Sequence, residues 1–168
     1  MSTQPTRPRE ESWRQLVSVV ESLQSEAQEC AGVGCWRAAL VLIGSAIEAG
    51  IIATACVAER ELRERNLWPK TDDPTRWTLG AALTIATKAG WLPVELRDTR
   101  ATDALTGDVG DAMRFLNEIR NMAVHPGAHV REQEIPDFNN VEHMRPTYEV
   151  CEGIMAAVFE RLSNVVAP

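Results

Sequence analysis

Residues 38–58 read AALVLIGSAIEAGIIATACVA, 21 positions of which Glu48 alone is charged. A run of this kind is either a membrane span or the central helix of a helical domain. The carboxylate argues for the second, since a charge at the middle of a span costs about 3 kcal/mol on insertion scales. Gly44, Ser45, Gly50 and Thr54 weaken a span further. The flanks, Arg37 before the run and the charged stretch 59–65 after it, give no clear topology. The run is therefore read as a buried central helix, apolar nearly all round. Trp36, Leu40, Ile43, Ile47, Ile51 and Thr54 form one stripe; Val41, Ser45, Glu48, Ile52 and Ala55 form its neighbour. With its charged extension it predicts one helix over 35–65, about 45 Å long, whose last two turns project into solvent.

The flanking sequence supplies partners for such a helix. Residues 1–11 hold Pro5, Pro8 and mixed charge, and read as a flexible N-terminal arm. A helix is expected over 12–30, opened by Ser12 and Gln15 as a capping box and ended by Gly32 and Gly34. Its inward stripe is Trp13, Leu16, Val17, Val20, Leu23 and Ala27. A loop over 66–77 precedes a helix over 77–89, which Gly90 ends in a Schellman stop. Residues 93–106 are ambiguous, permitting a weak helix from Pro93. The next helix starts at Asp108 and ends before Pro126, with Ala112, Phe115, Leu116, Ile119, Met122 and Ala123 facing the core. The last covers 146–164, Pro146 marking its start or a kink. The expected architecture is an all-α, up-and-down bundle of about five helices, as one domain over 12–165.

Composition agrees. The chain has 168 residues with 5% aromatics, a balance that leans away from a β-sandwich. Its net charge of −7 excludes a broad basic nucleic-acid-coating surface. The four cysteines, Cys30, Cys35, Cys56 and Cys151, form no CxxC pair, so neither zinc nor any other metal or cofactor is expected. They read as small buried apolar residues of a cytoplasmic protein. Asp72 and Asp73 lack the further ligands of a metal site. Trp68, Trp77 and Trp91 could stack on bases but, standing at helix ends, read better as lids on the core.

The three histidines, His125, His129 and His143, lie in one short stretch, so chemistry that requires a near-neutral acid or base lies there or uses no histidine at all. On the helix before Pro126, Arg114, Glu118, Asn121 and His125 are spaced four, three and four residues apart along one stripe, with Arg120 next to Asn121. A guanidinium grips two phosphate oxygens and stabilises developing negative charge. An imidazole moves the proton, and the amide orients either group. The plainer reading is a histidine favoured by a helix C-terminus beside a surface arginine. His129 and Arg131 follow in the loop and are either added positive charge or solvated loop residues. His143 reads as a surface or helix-start residue.

Arg120-Asn121-Met122-Ala123-Val124-His125 resembles the signature of the HEPN superfamily: an arginine, usually a polar residue next, and a histidine after four to six residues. The approach through Phe115-Leu116-Asn117-Glu118-Ile119, the following Pro126-Gly127, and the alanine-rich helix reaching Ala46-Ile47-Glu48 are similar to bacterial HEPN-like sequences. So is the segment from Leu79-Gly80 to Ala89-Gly90-Trp91-Leu92. The resemblance covers about 35–165. It implies a homodimeric helical bundle whose two motifs face each other and form one metal-independent endoribonuclease site, as in bacterial defence or toxin–antitoxin systems. It further implies that Arg120 stabilises the phosphate, that His125 acts as acid/base or positions the 2′-OH, and that Asn121 supports both. Glu48 is expected to orient Arg120 or His125, or else to pair elsewhere or at a dimer seam. The tyrosine that HEPN toxins carry two residues after the histidine is Gly127 here, which removes the point at which nucleotidyltransferase antitoxins act. Other antitoxin or regulatory partners stay open.

Two rival readings accompany the enzyme: a non-catalytic HEPN-like bundle that binds nucleotide, RNA or a partner protein, and a purely structural helical dimer. The charge of −7 does not decide among them, because Arg114, Glu118, Arg120 and Arg131 give residues 112–131 a local charge of +2.

Overall fold

The computed structural model describes residues 8–70, 73–92, 116 and 141–166. Among these residues the regular structure is all helical, with no strand. The elements are α1 (Pro8–Gly32), α2 (Trp36–Val57), α3 (Glu59–Glu64), a 3-10 turn (Pro74–Arg76), α4 (Leu79–Ala89) and α5 (Val141–Val166). The all-α class read from the sequence is the class observed.

The core forms around α2. Leu40, Ile43, Ile47 and Ile51 are wholly buried, as their shared stripe requires. The three-residue link Val33, Gly34, Cys35 turns α1 back along α2. Val20 Cγ2 lies 4.0 Å from where a Gly50 Cβ would sit, and the two residues are equally distant in sequence from Cys35, so the pair is antiparallel. Helix α5 packs on α2 in the same direction as α2. Tyr148 meets Trp36 edge to face at 6.0 Å near the start of α2, Met155 and Val158 meet Gly50 near its end, and Arg161 pairs with Glu61 beyond it. On α5, Tyr148, Cys151, Ile154, Met155, Val158 and Leu162 are buried.

Three helices end in the same device. Gly34, Asn66 and Gly90 adopt positive φ (77°, 54° and 73°). After each, the next N–H reaches back five residues: Cys35 to the Cys30 carbonyl at 2.8 Å, Leu67 to Leu62 at 2.8 Å, Trp91 to Ala86 at 2.9 Å. These are Schellman motifs, and they satisfy carbonyls that a helix end leaves open. At its other end α4 is capped by Thr78, whose Oγ1 accepts the Ala81 N–H at 3.3 Å.

Several boundaries differ from expectation. Helix α1 starts at Pro8 and not at Ser12, so residues 8–11 of the expected arm are helical; proline tolerates a first helical position because its missing N–H would be unpaired there anyway. The predicted single helix over 35–65 bends at Ala58 (φ −95°, ψ 17°), dividing α2 from α3. Thr54 Oγ1 donates to the Gly50 carbonyl at 2.8 Å, a back-bond that bends helices. The bend leaves Arg60, Arg63, Glu64 and Arg65 exposed as predicted, but it buries Leu62 completely. Helix α5 starts at Val141, and Pro146 lies in its second turn. Trp77 and Trp91 are buried, Trp68 half-buried against Trp77 at 5.4 Å, so the three serve as core lids. Cys151 is buried and Cys30 and Cys56 half-buried, but Cys35, in the α1–α2 link, is exposed, contrary to the reading of all four as buried. The ambiguous stretch 93–106 and the helix predicted over 108–124 lie outside the described residues except at Leu116, which is helical and fully buried, on the core stripe assigned to it.

Candidate functional site

The described part of the candidate site is its seat on α2. Leu116 stands four residues before Arg120. Its Cγ and both Cδ atoms lie 3.0, 3.1 and 3.1 Å from where a Cβ on Gly44 would be. A bare backbone at position 44 thus accepts the whole isobutyl group of the segment that leads into the motif. From the sequence Gly44 counted only as a residue that weakens a membrane span. Its role as a socket had one available signal, a glycine in the interior of an apolar helix, where it is disfavoured relative to alanine.

Glu48 lies one turn further along α2, half-buried on a flank it shares with half-buried Val41 and Ser45, and it is not without a partner. The Ser45 hydroxyl is satisfied locally, donating to the Val41 carbonyl at 3.0 Å. Arg114, Glu118, Arg120, Asn121, His125, His129 and Arg131 lie outside the described residues. His143 falls in the first turn of α5, the helix-start position expected of it. Of the acidic pair, Asp73 caps the 3-10 turn, accepting from the Thr75 N–H at 3.0 Å and the Thr75 hydroxyl at 2.6 Å. Among the described residues no group of three or more His, Cys, Asp or Glu side chains is placed to hold a metal ion.

Two polar clusters were not foreseen from the sequence. At the junction of α3, α4 and α5, Glu61 accepts from Arg65 Nη1 at 3.3 Å and from Arg161 Nη2. Arg65 also donates to the Ala89 and Lys88 carbonyls at 2.8 and 3.0 Å, closing the C-terminal end of α4. The Arg161 guanidinium stands 5.9 Å from the Trp91 ring centroid. Residues 61 and 161 are 100 positions apart, so no local pattern could pair them. In the second cluster, near the start of α2, the Tyr148 hydroxyl donates to Glu152 Oε1 at 3.1 Å. Burial, followed by the Glu152 charge, holds the Tyr148 phenol well above its usual range. Burial also pushes the Cys151 thiol up to about 12, with Glu152 adding to the effect.

One helix among the described residues, α2, is long and apolar enough to cross a membrane, and most of it is buried between its neighbours. No family model, curated protein or solved structure matches the chain.

Proposed function

We propose that the chain is a metal-independent, HEPN-like endoribonuclease that acts as a homodimer in a bacterial defence or toxin–antitoxin system. The observation that carries this reading is the sequence Arg120-Asn121-Met122-Ala123-Val124-His125 at the end of an amphipathic segment. The fully buried Leu116 against Gly44 supports it, because a motif that must meet its copy across an interface needs a rigid mount on the core.

In this reading Arg120 grips the scissile phosphate and stabilises the charge that develops on it. His125 takes the proton from the ribose 2′-OH or delivers one to the leaving 5′-oxygen. The 2′-oxygen bonds to phosphorus as the bond to the 5′-oxygen breaks, giving a 2′,3′-cyclic phosphate and a 5′-hydroxyl. DNA lacks the nucleophile and is not cut. Asn121 orients the pair, and Glu48 positions Arg120 or His125. Arg114, Glu118, His129 and Arg131 line the approach of the RNA. The acidic remainder of the chain restricts RNA contact to a narrow two-chain cleft.

The test is RNA cleavage in excess chelator by the wild type, Arg120→Ala and His125→Ala. Cyclic-phosphate products that fall by about a hundredfold or more in both variants support the enzyme. Cleavage undiminished in both defeats it. RNA or nucleotide binding with no cleavage by the wild type would move the protein to the non-catalytic binding reading. Glu48→Gln with unchanged cleavage and an unchanged pH profile would remove Glu48 from the site.

A further inference from the structure

The junction of α3, α4 and α5 leaves two hydrogen-bond donors unmet. Trp91 Nε1 and Arg161 Nε are both shielded from solvent, and among the described residues neither has an acceptor. Trp91 is 6% exposed. A buried N–H without an acceptor carries a desolvation cost of about 1–3 kcal/mol, and native folds rarely leave such groups orphaned. Two of them belong to residues in contact, since the Arg161 guanidinium lies 5.9 Å from the Trp91 ring. The charge around them is also unbalanced. Among the described residues, Arg65 and Arg161 share the single carboxylate of Glu61, and the α4 carbonyls that Arg65 also caps are neutral acceptors. The junction thus combines excess positive charge with two unmet donors. The Arg161 side chain is 32% exposed, so this place lies near the surface, with the two donor atoms themselves shielded beneath it.

We infer that this junction binds a small oxyanion, a carboxylate or phosphate group, which accepts from Trp91 Nε1 and Arg161 Nε. Binding joins the end of α4 to α5 through one ligand, with Glu61 of α3 remaining on Arg161 Nη2. The inference is independent of the ribonuclease reading, because none of these residues belongs to the proposed catalytic motif. An anion suits it better than a neutral acceptor, since it answers both the unmet donors and the unbalanced charge.

The experiment titrates the full chain with inorganic phosphate and, separately, with acetate, at ionic strength held constant with sodium chloride. It follows the thermal midpoint and tryptophan emission. Two variants accompany it. Trp91→Phe keeps an aromatic ring and removes its donor; Arg161→Lys keeps the charge toward Glu61 and removes Nε. The expected result is a saturable rise in the midpoint of the wild type, with apparent affinity about tenfold weaker in each variant, the loss of roughly one hydrogen bond to a charged group. Response to phosphate alone, or to both anions, identifies which oxyanion the site takes. No response beyond the chloride control overturns the inference. So does a response of equal strength in Arg161→Lys and the wild type, which would assign the anion to another place on the chain.

Discussion

Gly50 is the position at which the packing of α2 against α5 is least forgiving. A Cβ there would lie 2.9 Å from Val158 Cγ1 and 3.0 Å from Met155 Cε. Methionine can swing its terminal methyl away, but the β-branched valine is held at χ1. Gly50→Ala therefore sets a helix-propensity gain of up to about 1 kcal/mol against overpacking of about 1–3 kcal/mol. The expected net result is a lower urea midpoint with an unchanged m-value. Adding Val158→Ala should recover part of the loss, making the double variant more stable than the sum of its parts predicts. A stabilising Gly50→Ala would mean that α2 and α5 are less closely packed than these distances require. The same reasoning applies where the core meets the candidate site. Leu116→Ala empties the socket at Gly44 and should cost about 2–5 kcal/mol. If the motif is mounted through Leu116, the variant should also lose RNA cleavage at temperatures where it remains folded.

The helix ends offer a cleaner measurement, because sterics and strain separate there. A Cβ at Gly34 or at Gly90 would meet no atom within 4 Å, so Gly34→Ala and Gly90→Ala probe positive φ alone. Each should lower stability by about 1–2 kcal/mol. Asn66 already holds φ 54° with a side chain, so Asn66→Gly should be neutral or slightly stabilising by the same assay. A loss at Asn66→Gly as large as at Gly90→Ala would show that the asparagine side chain does more than tolerate the turn. These ends also show what the sequence could reveal. Gly90 was readable as a Schellman stop because glycine, a lost hydrophobic period and Leu92-Pro93 coincide there, and Gly34 was readable as a breaker. Asn66 was missed because it ends a charged helix with no apolar period to lose. The bend at Ala58 was invisible for a related reason: it follows from a Thr54 back-bond and the burial of Leu62, and no glycine or proline between positions 51 and 65 marks it. The motif at 120–125 could be read as a string of residue types. Its seat at Gly44 could not, because it depends on which distant residue meets α2 there.

The molecule as a whole is arranged around one apolar helix, and its titratable groups record how tightly that arrangement excludes water. Cys151 faces the core from α5 and is fully buried, whereas Cys35 is exposed in the α1–α2 link. A thiol reagent should label Cys35 promptly in the native protein and reach Cys151 only through unfolding, an order that mass spectrometry of quenched samples would read. Protonation gives the same core a pH signature. The Cys151 thiol has an ordinary value of 9.0 and is pushed up to about 12 in the fold. Tyr148, two residues after Pro146 and hydrogen-bonded to Glu152, is raised from 10.0. In each case the unfolded chain loses its proton first, so the unfolded state binds fewer protons than the native one and stability falls as pH rises. The contribution is fully present below about pH 9, declines from there, and for the thiol is lost by about pH 12. The urea midpoint should thus be flat from neutral pH to about 9 and then drop. Cys151→Ala lowers the midpoint at every pH through lost packing, yet it should flatten the slope between pH 9 and 10, where Tyr148 contributes little. Tyr148→Phe should flatten it only above 10. A slope in Cys151→Ala identical to that of the wild type would mean that water reaches Cys151, and with it the inner face of α5 against α2.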